Sequence, residues 1–342
     1  MKSLFNIRAP SFDAHAINET IRSALASAGI TAGKGGLVAG RNRVDVAARW
    51  PESSPCAYKL HVPARVDAAP PLLVMLHGCT QSADDFAAGT QMNRLADEHG
   101  FVVVYPEQSA TANASKCWNW FKAQDQLRDA GEPALIAGIV REVAARHGVD
   151  KGRIFVAGLS AGAAMAVILG ETYPELFAGV GAHSGLPYGS AHDIPSAMAA
   201  MKGGRSGITA LKARSNAASA PRRKIAQAVP TIVFHGDRDH TVQLSNGSEI
   251  AQQAGNAHSA AVPGATLRVS TQQGAQAGGR RYSRTVHADA AGQTQVEFWT
   301  VHGAGHAWAG GSENGSYTDA SGPDASAEMV RFFLSLPRAG SA

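Results

Sequence analysis

From Arg43 onward, short apolar runs alternate with longer amphipathic stretches. Leu72-Leu73-Val74-Met75-Leu76 is apolar without a break between Pro70-Pro71 and His77-Gly78, the pattern of a strand buried on both faces of a sheet. Val44 to Ala48 and Ala57 to Val62 precede it as shorter β-type runs. Ala83 to His99 then reads as a helix with Phe86, Met92 and Leu95 on one side, stopped by Gly100 at the position after the cap. Phe101 to Tyr105 reads as the next buried strand. The rhythm continues with a helix over Pro133 to His147, a strand over Arg153 to Ala157 and a helix over Ala161 to Tyr173. Strands over Phe177 to Ala182, Thr231 to Phe234 and Val296 to Thr300 and a closing helix over Ala325 to Leu334 complete the series. Strands separated by helices predict an α/β fold, a mostly parallel sheet covered on both faces through right-handed crossovers.

Two segments break the rhythm. Ser190 to Ala228 is rich in Ala, Ser, Gly and basic residues, and Ala251 to Gln295 in Gln, Ala, Gly and His. Both read as surface excursions, the first as a small cap over the carboxyl edge of the sheet. Ahead of Arg43, a helical stretch from Ala14 to Ala28 and a Gly-rich one from Gly33 to Gly40 read as a leader packed outside the core. The expected division is therefore a leader over residues 1–42 and one α/β domain over residues 43–342.

Composition narrows the class without changing this picture. An apolar fraction of 44% and a charged fraction of 17% over 342 residues belong to an ordinary folded protein and exclude disorder and fibrous classes. The formal charge of +4 is scattered except at Arg222-Arg223-Lys224. One short basic run does not track a phosphate backbone, so no nucleic-acid partner is expected. No apolar stretch approaches the roughly 20 residues that span a bilayer, so no membrane partner is expected. The N-terminus carries Lys2 and Arg8 without a following apolar run, unlike a standard signal peptide. Oligomeric state is not encoded in any pattern here.

The chemistry concentrates in three loops. Gly158-Leu159-Ser160-Ala161-Gly162 lies between a predicted strand and a predicted helix, the setting in which a tight turn displays a nucleophilic serine. A serine needs a base and an orienting acid, and on such a sheet these follow in the order serine, acid, histidine, each beyond a strand's carboxyl end. His235-Gly236-Asp237-Arg238-Asp239 offers Asp239 as the acid, with Asp237 as a turn-forming alternative. His302-Gly303-Ala304-Gly305-His306 offers His306 as the base, flanked by glycine, with His302 assigned to the strand end. Two backbone N–H groups, of Ala161 and of Cys79 in the loop after Leu72 to Leu76, are the expected donors to a developing oxyanion. Of the three cysteines, Cys79 and Cys117 sit on loops beside the site. A disulfide between them is favoured over two free thiols, with Cys56 left over. No metal and no other cofactor is called for. Trp118, Trp120, Trp308 and, more weakly, Tyr188 lie close in sequence to catalytic loops and are candidate substrate contacts, each with a core role as the alternative.

Taken together, His77-Gly78-Cys79-Thr80-Gln81, Phe101 to Glu107, Cys117-Trp118-Asn119-Trp120, the Ser160 turn, His235-Gly236 with Asp239 and Val242, and Gly305-His306-Ala307-Trp308 resemble the esterase family of poly(3-hydroxybutyrate) depolymerases. The resemblance runs over roughly Arg43 to Leu336, which makes residues 43–342 the expected catalytic domain. Nothing after the closing helix resembles the linker and polymer-adsorbing domain of multi-domain members, so no separate substrate-adsorbing domain is expected. The resemblance implies an α/β-hydrolase domain that cleaves ester bonds of polyhydroxyalkanoates, with Ser160, Asp239 and His306 at the triad positions. It also supports the oxyanion role of Cys79 and its bridge to Cys117. Feruloyl and acetylxylan esterases are similar, so those ester substrates are the alternative, and a non-catalytic hydrolase-fold binding module is a more distant one. A polymeric substrate and a disulfide argue for the periplasm or the exterior, the missing signal-type segment for the cytoplasm; the expectation leans outward.

Overall fold

The computed structural model describes residues 56–203 and 228–338. The leader, the strand expected over Val44 to Ala48, the basic cluster at Arg222 and most of the expected cap lie outside the described residues. Nine strands form one sheet: β1 (Cys56–His61), β2 (Leu72–Leu76), β3 (Val102–Gln108), β4 (Ile154–Leu159), β5 (Gly179–His183), β6 (Thr231–Gly236), β7 (Arg268–Ala275), β8 (Arg281–Ala288) and β9 (Thr294–Val301). Their spatial order is β1-β3-β2-β4-β5-β6-β9-β8-β7. The centre, from β3 to β9, is parallel, while β1 and the β8–β7 pair extend the two edges antiparallel.

Alternation along each central strand feeds two cores. Leu72, Val74 and Leu76 of β2 join Val102, Val104, Ile154 and Val156 on one face, under α3 (Gly131–His147) and α4 (Ala161–Thr172). Leu73 and Met75 join Val103, Tyr105, Phe155 and Ala157 on the other. That face is covered by α1 (Ala83–Thr90), α2 (Met92–His99) and α7 (Ala325–Ser335). Each fully buried Val or Leu contributes on the order of 1.5–3 kcal/mol, and all five β2 side chains are buried, so the unbroken apolar runs fix the strands. α4 has almost no polar side because it too is buried nearly all round.

The structure departs from the sequence expectations in three places. The helix expected over Ala83 to His99 breaks in two at Gln91, whose φ of 53° lets its N–H donate to the Ala87 carbonyl and redirect the chain. The segment expected as a surface excursion over Ala251 to Gln295 is instead the rest of α6 (Leu244–Ala261) followed by β7 and β8. β7 is exposed along almost its whole length, so neither face needed apolar residues and no alternation marked it. Within the expected cap, Ile194–Met201 forms a regular helix, α5, started by an Asp193–Ser196 capping box with Pro195 in its first turn. No described helix is long and apolar enough to cross a membrane.

Candidate active site

β4 ends at Leu159 and α4 begins at Ala161, so Ser160 alone makes the reversal, at φ 57° and ψ −118°. The flanking glycines are dictated by packing. A Cβ on Gly158 would collide with the backbone of Gly162, and one on Gly162 with the carbonyl oxygens of Leu76 and His77. The Ser160 N–H donates to the His183 carbonyl at 2.9 Å, which ties the turn to β5. Ser160 lines a cleft, partly open to solvent, whose lining also includes Cys79, Ala161, Thr241, Val242 and His306.

Asp239 lies just beyond β6 and His306 beyond β9, and these strands are hydrogen-bonded neighbours, so residues far apart in sequence meet across one strand spacing. His306 Nδ1 is 2.7 Å from Asp239 Oδ2. The other carboxylate oxygen accepts the N–H groups of Thr241 at 2.9 Å and Val242 at 2.8 Å. Burial opposes ionisation of Asp239, but His306, with His235 and the loop N–H groups in support, outweighs it and holds the carboxyl at about 2. Asp237 serves the second histidine: it pairs with His302 Nδ1 at 2.9 Å and accepts the Gly303 N–H at 2.7 Å. His302 therefore lies past the end of β9, and the Asp237 contacts brace the loop that carries His306.

Cys79 and Cys117 are disulfide-bonded, with Cα atoms 4.2 Å apart, while Cys56 is a buried free thiol that burial pushes up to about 12. In the Cys79 loop the Gly78 N–H is taken by Gln81 Oε1 at 2.9 Å and the Thr80 N–H by the Ser115 carbonyl at 2.7 Å. Cys79, between these two, and Ala161, the first residue of α4, both line the cleft. The helix N-terminus adds partial positive charge there.

A buried acceptor network fastens the far side of this loop. Glu132, at the start of α3, accepts from the Asn119 N–H at 2.7 Å, from Asn119 Nδ2 at 2.5 Å and from Gln108 Nε2 at 2.5 Å. The same Gln108 amide donates to the Cys117 carbonyl at 3.2 Å. Burial, followed by the nearby Asp125 carboxylate, pushes Glu132 up to about 7. Close to Asp239 and His306, His183 is stacked between Phe234 and Trp308. Its Nε2 accepts the Ala309 N–H at 3.0 Å, and burial pushes it down to about 3, so it is a neutral spacer.

The four expected substrate contacts separate. Trp120 lines the cleft. Trp118 is 1% exposed, with Nε1 donating to the His77 carbonyl at 3.1 Å, and Trp308 is equally buried, donating to Ser326 Oγ at 3.0 Å. Tyr188 bonds the Gln126 carbonyl through its hydroxyl at 3.0 Å. None of these three is part of the cleft lining, because closeness along the chain does not set the direction of a side chain. Residues missed in the sequence fill the wall instead: Phe121, Leu186, the α5 face and Tyr317, whose hydroxyl is 3.0 Å from Thr80 Oγ1. Tyr317 follows a run of small polar residues with no signature of its own.

The family model described as Esterase PHB depolymerase matches residues 56–268. The chain is 35% identical over 251 residues to poly(3-hydroxyalkanoate) depolymerase C of Paucimonas lemoignei, covering 72% of this chain and 57% of that one. It is 30% identical over 200 residues to acetylxylan esterase A of Aspergillus oryzae, covering 57% and 64%. It therefore spans less than two thirds of the length of these relatives. Among solved structures an acetyl xylan esterase from Aspergillus awamori superposes with a TM-score of 0.62 at 20% identity, over 89% of this chain and all of that one. The shared architecture is the α/β-hydrolase fold.

Proposed function

The chain belongs to the esterase family of PHB depolymerases, and we propose that it is a serine esterase that hydrolyses polyhydroxyalkanoate, poly(3-hydroxybutyrate) or its oligomers, through an acyl-enzyme on Ser160. The observation that carries this reading is the convergence of Ser160 and the Asp239-paired His306 on one cleft. His306 takes the Ser160 proton as the hydroxyl attacks the ester carbonyl. Asp239 holds the imidazole with Nδ1 protonated and stabilises the cation that forms. The carbonyl oxygen, now an oxyanion, is received by the N–H groups of Cys79 and Ala161. His306 returns the proton to the leaving alcohol, and water then repeats the sequence to free the acid. Each step moves one proton and one acyl group and needs no cofactor.

The relatives' names keep acetylxylan and feruloyl esters as a second substrate reading. The mostly apolar lining, with Trp120, Phe121 and Tyr317 in it, suits aliphatic acyl groups and an aromatic acid alike. A disulfide beside the cleft supports a periplasmic or extracellular site of action. Ser160→Ala is expected to fold normally and to lose soluble 3-hydroxybutyrate release from amorphous polymer, with wild-type activity found in culture fluid rather than lysate. Retained activity in the variant refutes the nucleophile, and release of acid from feruloylated or acetylated xylan alone moves the substrate to the second reading.

A further inference from the structure

On α5, Ile194, Ala197, Met198 and Met201 stand at i, i+3, i+4 and i+7, so they share one face. In a helix that only packs on its sheet such a stripe is spent in the core. Here all four line the cleft that holds Ser160 and His306, and Ile194, Met198 and Met201 remain half-buried.

The backbone under the stripe is fixed at both ends. Asp193 accepts the Ser196 N–H at 2.8 Å. At the other end the Ala200 carbonyl accepts from Asn246 Nδ2 at 2.9 Å and the Met201 carbonyl from the Gln243 N–H at 2.8 Å. Gln243 directly follows Thr241 and Val242, whose N–H groups hold Asp239. Wall and acid loop are therefore tied together by hydrogen bonds. Adaptability is confined to side chains, and unbranched methionines, with three rotatable bonds and a polarisable sulfur, adapt most readily to irregular hydrocarbon. Also in the lining are Trp120, Phe121 and Leu186, and no Lys, Arg, Asp or Glu is among the described lining residues.

Resting on the assignment of Ser160 as nucleophile, we propose that α5 is the selector for the acyl side chain. Met198 and Met201 admit hydroxyacyl units whose aliphatic side chains are longer than the methyl of 3-hydroxybutyrate. The substrate class widens accordingly from short-chain to medium-chain polyhydroxyalkanoates.

The test measures kcat/KM of the full chain on 4-nitrophenyl acetate, butanoate, octanoate and dodecanoate. Wild type is expected to favour octanoate over acetate, and Met198→Phe and Met201→Phe to lower that ratio at least about tenfold, the scale on which a filled apolar pocket discriminates. Met→Leu at the same positions, which conserves volume, is expected to hold the ratio within about threefold of wild type. Should the Phe variants not fold, Met198→Ala tests the same wall with opposite sign, raising the dodecanoate-to-octanoate ratio. A wild-type preference for acetate, or ratios that do not move in the Phe or Ala variants, overturns the selector. A wild type that cleaves none of the esters and takes no fluorophosphonate label removes instead the nucleophile on which it rests.

Discussion

At Ser160 a non-glycine residue is held at a positive φ, a conformation that costs on the order of 1–3 kcal/mol. It persists because Gly158 and Gly162 close the turn from both sides. The hydroxyl is thereby presented without a search through rotamers of the main chain. His306 depends on a similar constraint from one atom, Asp239 Oδ2, since the other carboxylate oxygen is committed to Thr241 and Val242. Asp239→Asn preserves the shape and is expected to leave folding intact. Its amide can turn an N–H toward Nδ1, which leaves the proton on the wrong imidazole nitrogen. By analogy with serine proteases, kcat on a 4-nitrophenyl ester falls by roughly 10⁴-fold; a loss of less than tenfold removes Asp239 from the proposed triad.

At the level of elements, the disulfide closes a loop of 38 residues between Cys79 and Cys117, worth about 4 kcal/mol in the chain-entropy account. It also joins the two loops whose backbones border the cleft. Cys79→Ser with Cys117→Ser is expected to lower the thermal midpoint by several degrees and to reduce kcat more than it raises KM. A variant with unchanged kcat shows that the Glu132 network alone positions the loop. What was legible in sequence at this scale follows from burial. Strands such as β2 and β4 are apolar throughout because both faces are covered, and the Ser160 turn, Asp239 and His306 are marked by glycines and strand ends. β7 and β8 were not legible because a largely exposed hairpin needs no apolar alternation. α5 was missed because its apolar stripe serves a cleft, and in an Ala- and Ser-rich run such a stripe resembles surface. Trp118 and Trp308 take the core alternative, because the strand and loop geometry turns them inward, away from the cleft.

For the whole molecule, Glu132 makes stability depend on pH. Its carboxyl is raised from an ordinary 4.5 to about 7 in the fold, so between these values the folded state holds more protons than the unfolded one. The contribution is fully present below pH 4.5 and is lost as pH rises through 7, with a size on the order of 3 kcal/mol. Asp239, held at about 2, acts in the opposite sense and withdraws stability only as pH falls from about 4 toward 2. Glu132→Gln cannot titrate. Whatever its absolute stability, its urea midpoint is expected to be flatter than wild type between pH 5 and 7.5; equal slopes refute the assignment.

Ser160, Asp239 and His306 follow β4, β6 and β9 along the chain, and β9 is the last of the sheet's described strands. On a ribosome, where N-terminal segments emerge first, Ser160 and Asp239 are therefore present long before His306. On the proposed assignment a nascent chain carries the nucleophile and the acid without the base. Hydrolytic competence then cannot precede synthesis of the loop after β9, and its appearance reports that the sheet has closed as far as β9.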